Sequence, residues 1–204
     1  TLLASSAASD VYKRQVPDGL HGAVIHLPFP SVGATENVLL AAVLAKGETV
    51  LHNAAREPEI CDLAAFLRKC GAKISGEGES TIRIEGTERL HGCVHAIMPD
   101  RIAGITYLGA AAITGGTLCL KGTDAQPMEN MLPTLEQMGC RLYPEPDRLH
   151  LLAPRRLRAV PFLRTMPHPG FPTDAQAIFM AMLSLADGVS VLEAVSYTHL
   201  RAHE

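Results

Sequence analysis

A serine, a glycine and an aspartate stand just ahead of helix-forming segments, where residues of these types can handle an anion or a proton. Pro30-Ser31-Val32-Gly33 precedes one Ala/Leu-rich run, and Pro172-Thr173-Asp174 precedes another. A helix start offers unbonded N–H groups and the positive end of the macrodipole, so it attracts phosphate or carboxylate. Ser31 brings a small hydroxyl, and Gly33 has no side chain to keep a phosphate away. Plain capping, with the Ser31 oxygen accepting a backbone N–H, accounts for the same residues. Asp174 also has two readings. At a helix start its anion gains about 0.3–1 kcal/mol, which suits a cap and lowers basicity. A general base needs the opposite tuning, by burial or by a nearby like charge. His168, in His168-Pro169, is the nearby residue that titrates close to neutral pH. A further polar cluster is Asn53-Ala54-Ala55-Arg56-Glu57-Pro58-Glu59. Its Glu57 and Glu59 complement a helix dipole, and Arg56 can pair with either or reach a ligand.

An internal repeat must position these residues. Three windows share one plan: FPSVGATENVLLAAVLAKGETVL (29–51), MPDRIAGITYLGAAAITGGTLCL (98–120) and FPTDAQAIFMAMLSLADGVSVL (171–192). Each opens on an apolar residue, Pro and a polar residue, runs through a helical length, and ends in Gly and a short β-rich run. Gly47 and Gly71 recur, at the same spacing, as Gly115 and Gly139. The unit reads helix, strand, helix, strand, strand, with a strand such as AVIHL (23–27) ahead of each first helix. Ser31, Asp100 and Thr173 or Asp174 suit the N-cap, and Pro the first turn. Gly47, Gly115 and Gly188 suit the left-handed position that closes the first helix, and Gly71 and Gly139 that of the second. The second helix is amphipathic, with Ile60, Leu63, Ala64 and Leu67 on one stripe. The first is apolar nearly all round and should be buried. Such units cannot cover their apolar faces alone and must stack on further copies.

Composition narrows the class. The 204 residues are 47% hydrophobic and 19% charged, with a net charge of −3. That composition is globular, and it lacks the basic footprint of a nucleic-acid binder. No run approaches the roughly 18 apolar residues of a membrane span, and no signal peptide is recognisable. The five cysteines are dispersed without a C-x-x-C pair, which argues for a reducing compartment and against a disulfide framework or a zinc site. No Ser-His-Asp order, Walker loop or G-x-G-x-x-G is present. The strings SSAASDVYKRQ (5–15) and VSYTHLRAHE (195–204) break the periodicity beside them. They resemble translated sequencing adapters, so residues 1–15 and 195–204 are expected to be non-native or disordered tails.

Five segments carry a family resemblance: SVGATEN (31–37), NAAREPEI (53–60), GAKISGEGESTIRIEG (71–86), MPDRI (98–102) and PHPGFPTDAQA (167–177). They closely resemble the UDP-N-acetylglucosamine 1-carboxyvinyltransferases, the enolpyruvyl transferases of peptidoglycan synthesis, in order over about residues 19–194. The resemblance implies an α/β fold of two inside-out α/β barrels, each of three repeats, with helices inside and sheets outside. Residues 16–98 would be the last repeat unit of one domain. Residues 99–194 would be the first unit and part of the second unit of the other.

The implied activity is transfer of the enolpyruvyl group of phosphoenolpyruvate to the 3′-hydroxyl of UDP-N-acetylglucosamine, releasing phosphate. No cofactor or metal is implied. The expected setting is a cytoplasmic, monomeric enzyme without nucleic-acid or membrane partners. Asp174 matches the family's base at the sugar hydroxyl, and Ser31, Val32 and Gly33 match its diphosphate-contacting loop. Arg101, within MPDRI, joins the expected substrate-binding residues. Phe29 stands where many members carry Lys, so one cationic contact is not matched. The family's Lys-Asn pair, its catalytic Cys loop and its late Arg residues have no counterpart here, so the chain is expected to be an internal fragment, inactive alone. The other readings are a 5-enolpyruvylshikimate-3-phosphate synthase-like enzyme and a non-catalytic binding protein built on the same repeat.

Overall fold

The computed structural model describes residues 18–194; both tail-like strings, 1–15 and 195–204, lie outside the described residues. The chain forms two compact units. Among the described residues the first contains 18–55 and 60–95, and the second contains Arg56–Glu59 and 96–194.

The first unit is built from β1 (Val24–His26), α1 (Val32–Ala42), β2 (Glu48–His52), α2 (Pro58–Lys69), β3 (Lys73–Ser75) and β4 (Thr81–Glu85). The sheet order is β1-β2-β4-β3. β1 runs parallel to β2, with Val24 opposite Val50, and the β2–β4 and β3–β4 pairs are antiparallel. Along β4 the inward Ile82 and Ile84 alternate with outward Arg83 and Glu85, the period of a strand with one wet face. Those isoleucines join Leu39, Leu51, Ile60, Ala64, Leu67 and Ile74 in one core. Fully burying each large aliphatic contributes about 1.5–3 kcal/mol. Of the stripe that the spacing of α2 predicts, Ile60, Ala64 and Leu67 are buried and Leu63 is partly buried against the same core.

The second unit holds α3 (Arg101–Thr114), β5 (Thr117–Lys121), α4 (Leu132–Gln137), β6 (Arg141–Glu145), β7 (Arg148–Leu152), β8 (Phe162–Arg164), α5 (Gln176–Leu183) and β9 (Val191–Glu193). β5, β7 and β6 form an antiparallel sheet in that order, and β8 pairs parallel with β9. The β8–α5–β9 segment thus repeats β1–α1–β2, both being parallel crossovers. Its core joins Ile105, Leu108, Met128, Leu135, Leu149, Phe171, Phe179 and Met182. Where α3 meets α5, a Cβ on Gly109 would sit 2.9 Å from Ile178 Cγ2 and 3.4 Å from Met182 Sδ. Glycine is what lets these two helices approach there.

Three helix ends match the expected glycines. Gly71, Gly115 and Gly139 all have positive φ. Each donates to the carbonyl three residues back, and the next residue reaches the carbonyl five back, as in Gly71 to Arg68 (2.9 Å) and Ala72 to Leu67 (3.0 Å). Gly47 and Gly188 do not close helices. α1 ends at Ala42 and α5 at Leu183, several residues earlier. The residues after these helices are drawn into parallel pairing. Lys46 bridges to His21 and Asp187 to Arg158, so the helix stops early and the glycine turns the chain into the next strand. No strand lies between β4 and α3 among the described residues, so the expected pairing is missing there and α3 runs on to Thr114, against Gly115.

The first helix of each repeat is not buried all round. Leu39 is fully buried, but Leu40 is about half exposed, as is Met180 in the third copy, and Tyr107 in the second is 64% exposed. Within each unit the residues cover one face of these helices and leave an apolar face open. No helix among the described residues is long and apolar enough to cross a membrane.

Candidate functional site

In the first unit the start of α1 is built as its composition suggests. Ser31 is the N-cap and its Oγ accepts the Ala34 N–H at 3.3 Å. Buried Thr35 donates its hydroxyl to the Ser31 carbonyl (2.8 Å) and accepts the Ala55 N–H (3.0 Å), which locks the helix start to the chain leaving β2. Gly33 is exposed, and a Cβ there would meet nothing within 4 Å. The amides of Val32 and Gly33 head the helix, so they have no intrahelical partner. Capping and anion binding are therefore compatible here: the Ser31 oxygen serves the helix, and the first amides remain for a ligand.

In the second unit Asp100 caps α3, accepting from Ile102 and Ala103 N–H at 2.9 and 3.0 Å. The equivalent position in the third copy differs. Thr173–Ala175 is a 3-10 turn leading into α5, and neither Thr173 nor Asp174 makes a side-chain cap. The tighter turn satisfies the Ala175 N–H with the Pro172 carbonyl at 3.2 Å, so the cap expected of Asp174 is not needed. The turn is fixed from both sides. Ala175 is fully buried, and Phe171 packs edge-on against Phe179 with ring centroids 4.8 Å apart. Asp174 itself is exposed, and its carboxylate makes no hydrogen bond or ion pair among the described residues. A rigid turn thus holds a free carboxylate at the positive end of a helix, with all of its acceptor capacity available.

Arg101 is 4% exposed and donates from Nε and Nη2 to the two oxygens of Glu59, at 2.7 and 3.3 Å. Two of its donors are committed to that carboxylate, and Nη1 is buried without a protein partner. Glu57 accepts the His168 N–H at 3.3 Å, and Arg56 Nη2 donates to the His168 carbonyl at 3.2 Å. Asn130 Nδ2 donates to the Gly170 carbonyl at 2.7 Å. Nothing in the wording around Asn130 marks it as a site residue; only the fold brings it to this loop. The cluster sets two arginines and the carboxylates of Glu57 and Glu129 about one histidine.

Burial lowers the His168 pKa from its ordinary value. Glu57 opposes that shift, Arg101 and Arg56 add to it, and Glu129 opposes it. A depressed histidine pKa means that the neutral ring is favoured in the folded state. Its contribution to stability is present above the unfolded pKa near 6.5 and is lost as pH falls through the folded value. His168 should therefore titrate below the ordinary histidine value near 6.5 when its ring chemical shifts are followed against pH. A midpoint at or above that value would contradict this balance of burial and charge.

The comparisons with known proteins agree with this fold. The sequence model of the family described as EPSP synthase (3-phosphoshikimate 1-carboxyvinyltransferase) matches residues 7–203. Among solved structures, the enolpyruvyl transferase NikO from Streptomyces tendae superposes with a TM-score of 0.79 at 23% identity, over 91% of this chain and 47% of that one. The EPSP synthase of Acinetobacter baumannii gives 0.62 at 26% identity, over 85% and 40%. The chain belongs to the EPSP synthase family of 1-carboxyvinyltransferases and has its α/β enolpyruvyl transferase fold.

Within that family it is similar to proteins named UDP-N-acetylglucosamine 1-carboxyvinyltransferase. It is 46% identical to that of Finegoldia magna over 188 residues, 91% of this chain and 44% of that protein. Against that of Zymomonas mobilis the identity is 49% over 192 residues, 94% and 45%. Against that of Gluconobacter oxydans it is 53% over 176 residues, 86% and 42%. The chain thus spans less than half the length of the curated relatives it matches.

Proposed function

We propose that the complete protein carrying this segment transfers the enolpyruvyl group of phosphoenolpyruvate to the 3′-hydroxyl of UDP-N-acetylglucosamine. This would be the first committed step of peptidoglycan precursor synthesis, and it would run in the cytoplasm. The observation that carries the reading is Asp174, a carboxylate with no protein partner on a turn anchored by Phe171 and Ala175. In this reading Asp174 accepts the proton of the sugar hydroxyl as its oxygen bonds to the enolpyruvyl carbon and phosphate departs. Such a group needs to lie within hydrogen-bond reach of the proton it removes, and an exposed carboxylate free of other bonds can do so. The Ser31-Val32-Gly33 turn receives the nucleotide diphosphate on its first amides. Arg101, held by Glu59, keeps Nη1 as its remaining donor toward substrate.

The two units are read as the last repeat of one barrel domain (16–98) and the first and part of the second repeat of the other (99–194). Further repeats of the complete protein would cover the apolar faces that α1, α3 and α5 leave open. The 204-residue chain alone should release no phosphate from the two substrates together, whereas the complete protein should release it only when both are present. Release by the isolated chain, or by the complete protein without the nucleotide sugar, would overturn this reading.

A further inference from the structure

We propose that Arg56, Glu57 and Asn130 are positioning residues that clamp the loop leading to Asp174 and so set where its carboxylate stands. The inference rests on the reading of Asp174 as the base. The loop between β8 and the Thr173–Ala175 turn is longer than the equivalent Leu27–Pro30 stretch between β1 and α1, because it carries the added His168-Pro169-Gly170 region. A longer connection costs little to close, but it keeps freedom that a catalytic turn cannot tolerate. Three side chains from outside the loop remove that freedom by seizing its backbone. Arg56 donates to the His168 carbonyl, Glu57 accepts the His168 N–H, and Asn130 donates to the Gly170 carbonyl. None of these bonds is local: Arg56 and Glu57 come from the segment ahead of α2, and Asn130 from the chain between β5 and α4. Downstream, Phe171 and Ala175 are buried, so the loop is fixed at both of its ends and Asp174 has one place to stand.

The same side chains carry a cost that capping or packing alone does not require. Glu57 Oε2, Asn130 Oδ1 and His168 Nδ1 are buried without a protein partner. Buried polar atoms are nearly always paired, and those left single concentrate where geometry serves function. Backbone clamping of this kind acts on catalysis through geometry: a displacement of about 1 Å at the reacting group lowers turnover by about a hundredfold.

The test uses the complete protein and four variants, with kcat and the nucleotide-sugar KM measured for each. Asp174→Asn reads the base itself. Glu57→Ala and Asn130→Asp release the loop, the second without changing side-chain size. Glu57→Gln keeps an oxygen that can accept the His168 N–H. The clamp predicts that Glu57→Ala and Asn130→Asp lower kcat by about ten- to a hundredfold with KM within about threefold, and that Glu57→Gln restores most of the loss. A purely structural role would lower the melting midpoint and would not split kcat from KM. If Asp174→Asn abolishes turnover while Glu57→Ala and Asn130→Asp keep the parent's kcat, the clamp is overturned and the base stands. If Asp174→Asn turns over normally, both fall.

Discussion

Replacing Asp174 by Asn in the complete protein should lower turnover by about two to four orders of magnitude, the usual span for loss of a positioned general base. Nucleotide-sugar binding should change little. The amide has nearly the same shape as the carboxylate, and the Phe171–Phe179 contact and buried Ala175 hold the turn whichever group is present. The loss should therefore appear in kcat and in kcat/KM together, the pattern of an interaction made in the transition state. Single-turnover measurements with saturating nucleotide would separate the chemical step from product release. Turnover within a fewfold of the parent would remove Asp174 from the mechanism and return it to the role of a surface acid at a helix start.

The second large effect concerns stability. Arg101 is 4% exposed and its charge is balanced by Glu59, which is itself 39% exposed. Glu59→Ala leaves a buried guanidinium without its carboxylate. Breaking a buried pair from one side costs about 3–5 kcal/mol, and the exposure of Glu59 places this case near the lower end. Thermal melts of the complete protein should show the variant's midpoint falling clearly below that of the parent. Combining it with Arg101→Met should recover much of the loss, because the methionine removes the uncompensated charge and keeps apolar volume in the site. A single variant as stable as the parent, or a double variant worse than the single, would contradict the account of this pair.

Much of the local architecture was legible because it is written in short-range chemistry. Ser31 and Asp100 cap their helices, and Gly71, Gly115 and Gly139 close theirs, since each needs only the residues beside it. The α2 stripe of Ile60, Ala64 and Leu67 follows from helical period alone. The misreadings share a cause: other backbone groups, distant for the two glycines and local for Asp174, competed with the signal of the residue itself. Gly47 and Gly188 look like helix stops, but pairing of Lys46 with His21 and Asp187 with Arg158 ends those helices sooner. Asp174 has the composition of a cap, yet the 3-10 turn satisfies the amide with Pro172 instead. The Glu59–Arg101 and Asn130–Gly170 bonds join segments far apart along the chain, and no spacing rule foretells such partners. The residues offered as a site were legible as chemistry at helix starts; what each one touches required the fold.

The acceptor used by the complete protein is the deciding property, since the family model and one superposed structure carry the name of a shikimate enzyme. The relatives at 46–53% identity carry the name of the nucleotide-sugar enzyme. The direct measurement is phosphate release from phosphoenolpyruvate by the complete protein, with UDP-N-acetylglucosamine or shikimate 3-phosphate as acceptor and the product mass checked in each case. Release and an enolpyruvyl adduct are expected with UDP-N-acetylglucosamine, and neither with shikimate 3-phosphate. An adduct on shikimate 3-phosphate, or none on the nucleotide sugar, would contradict this reading.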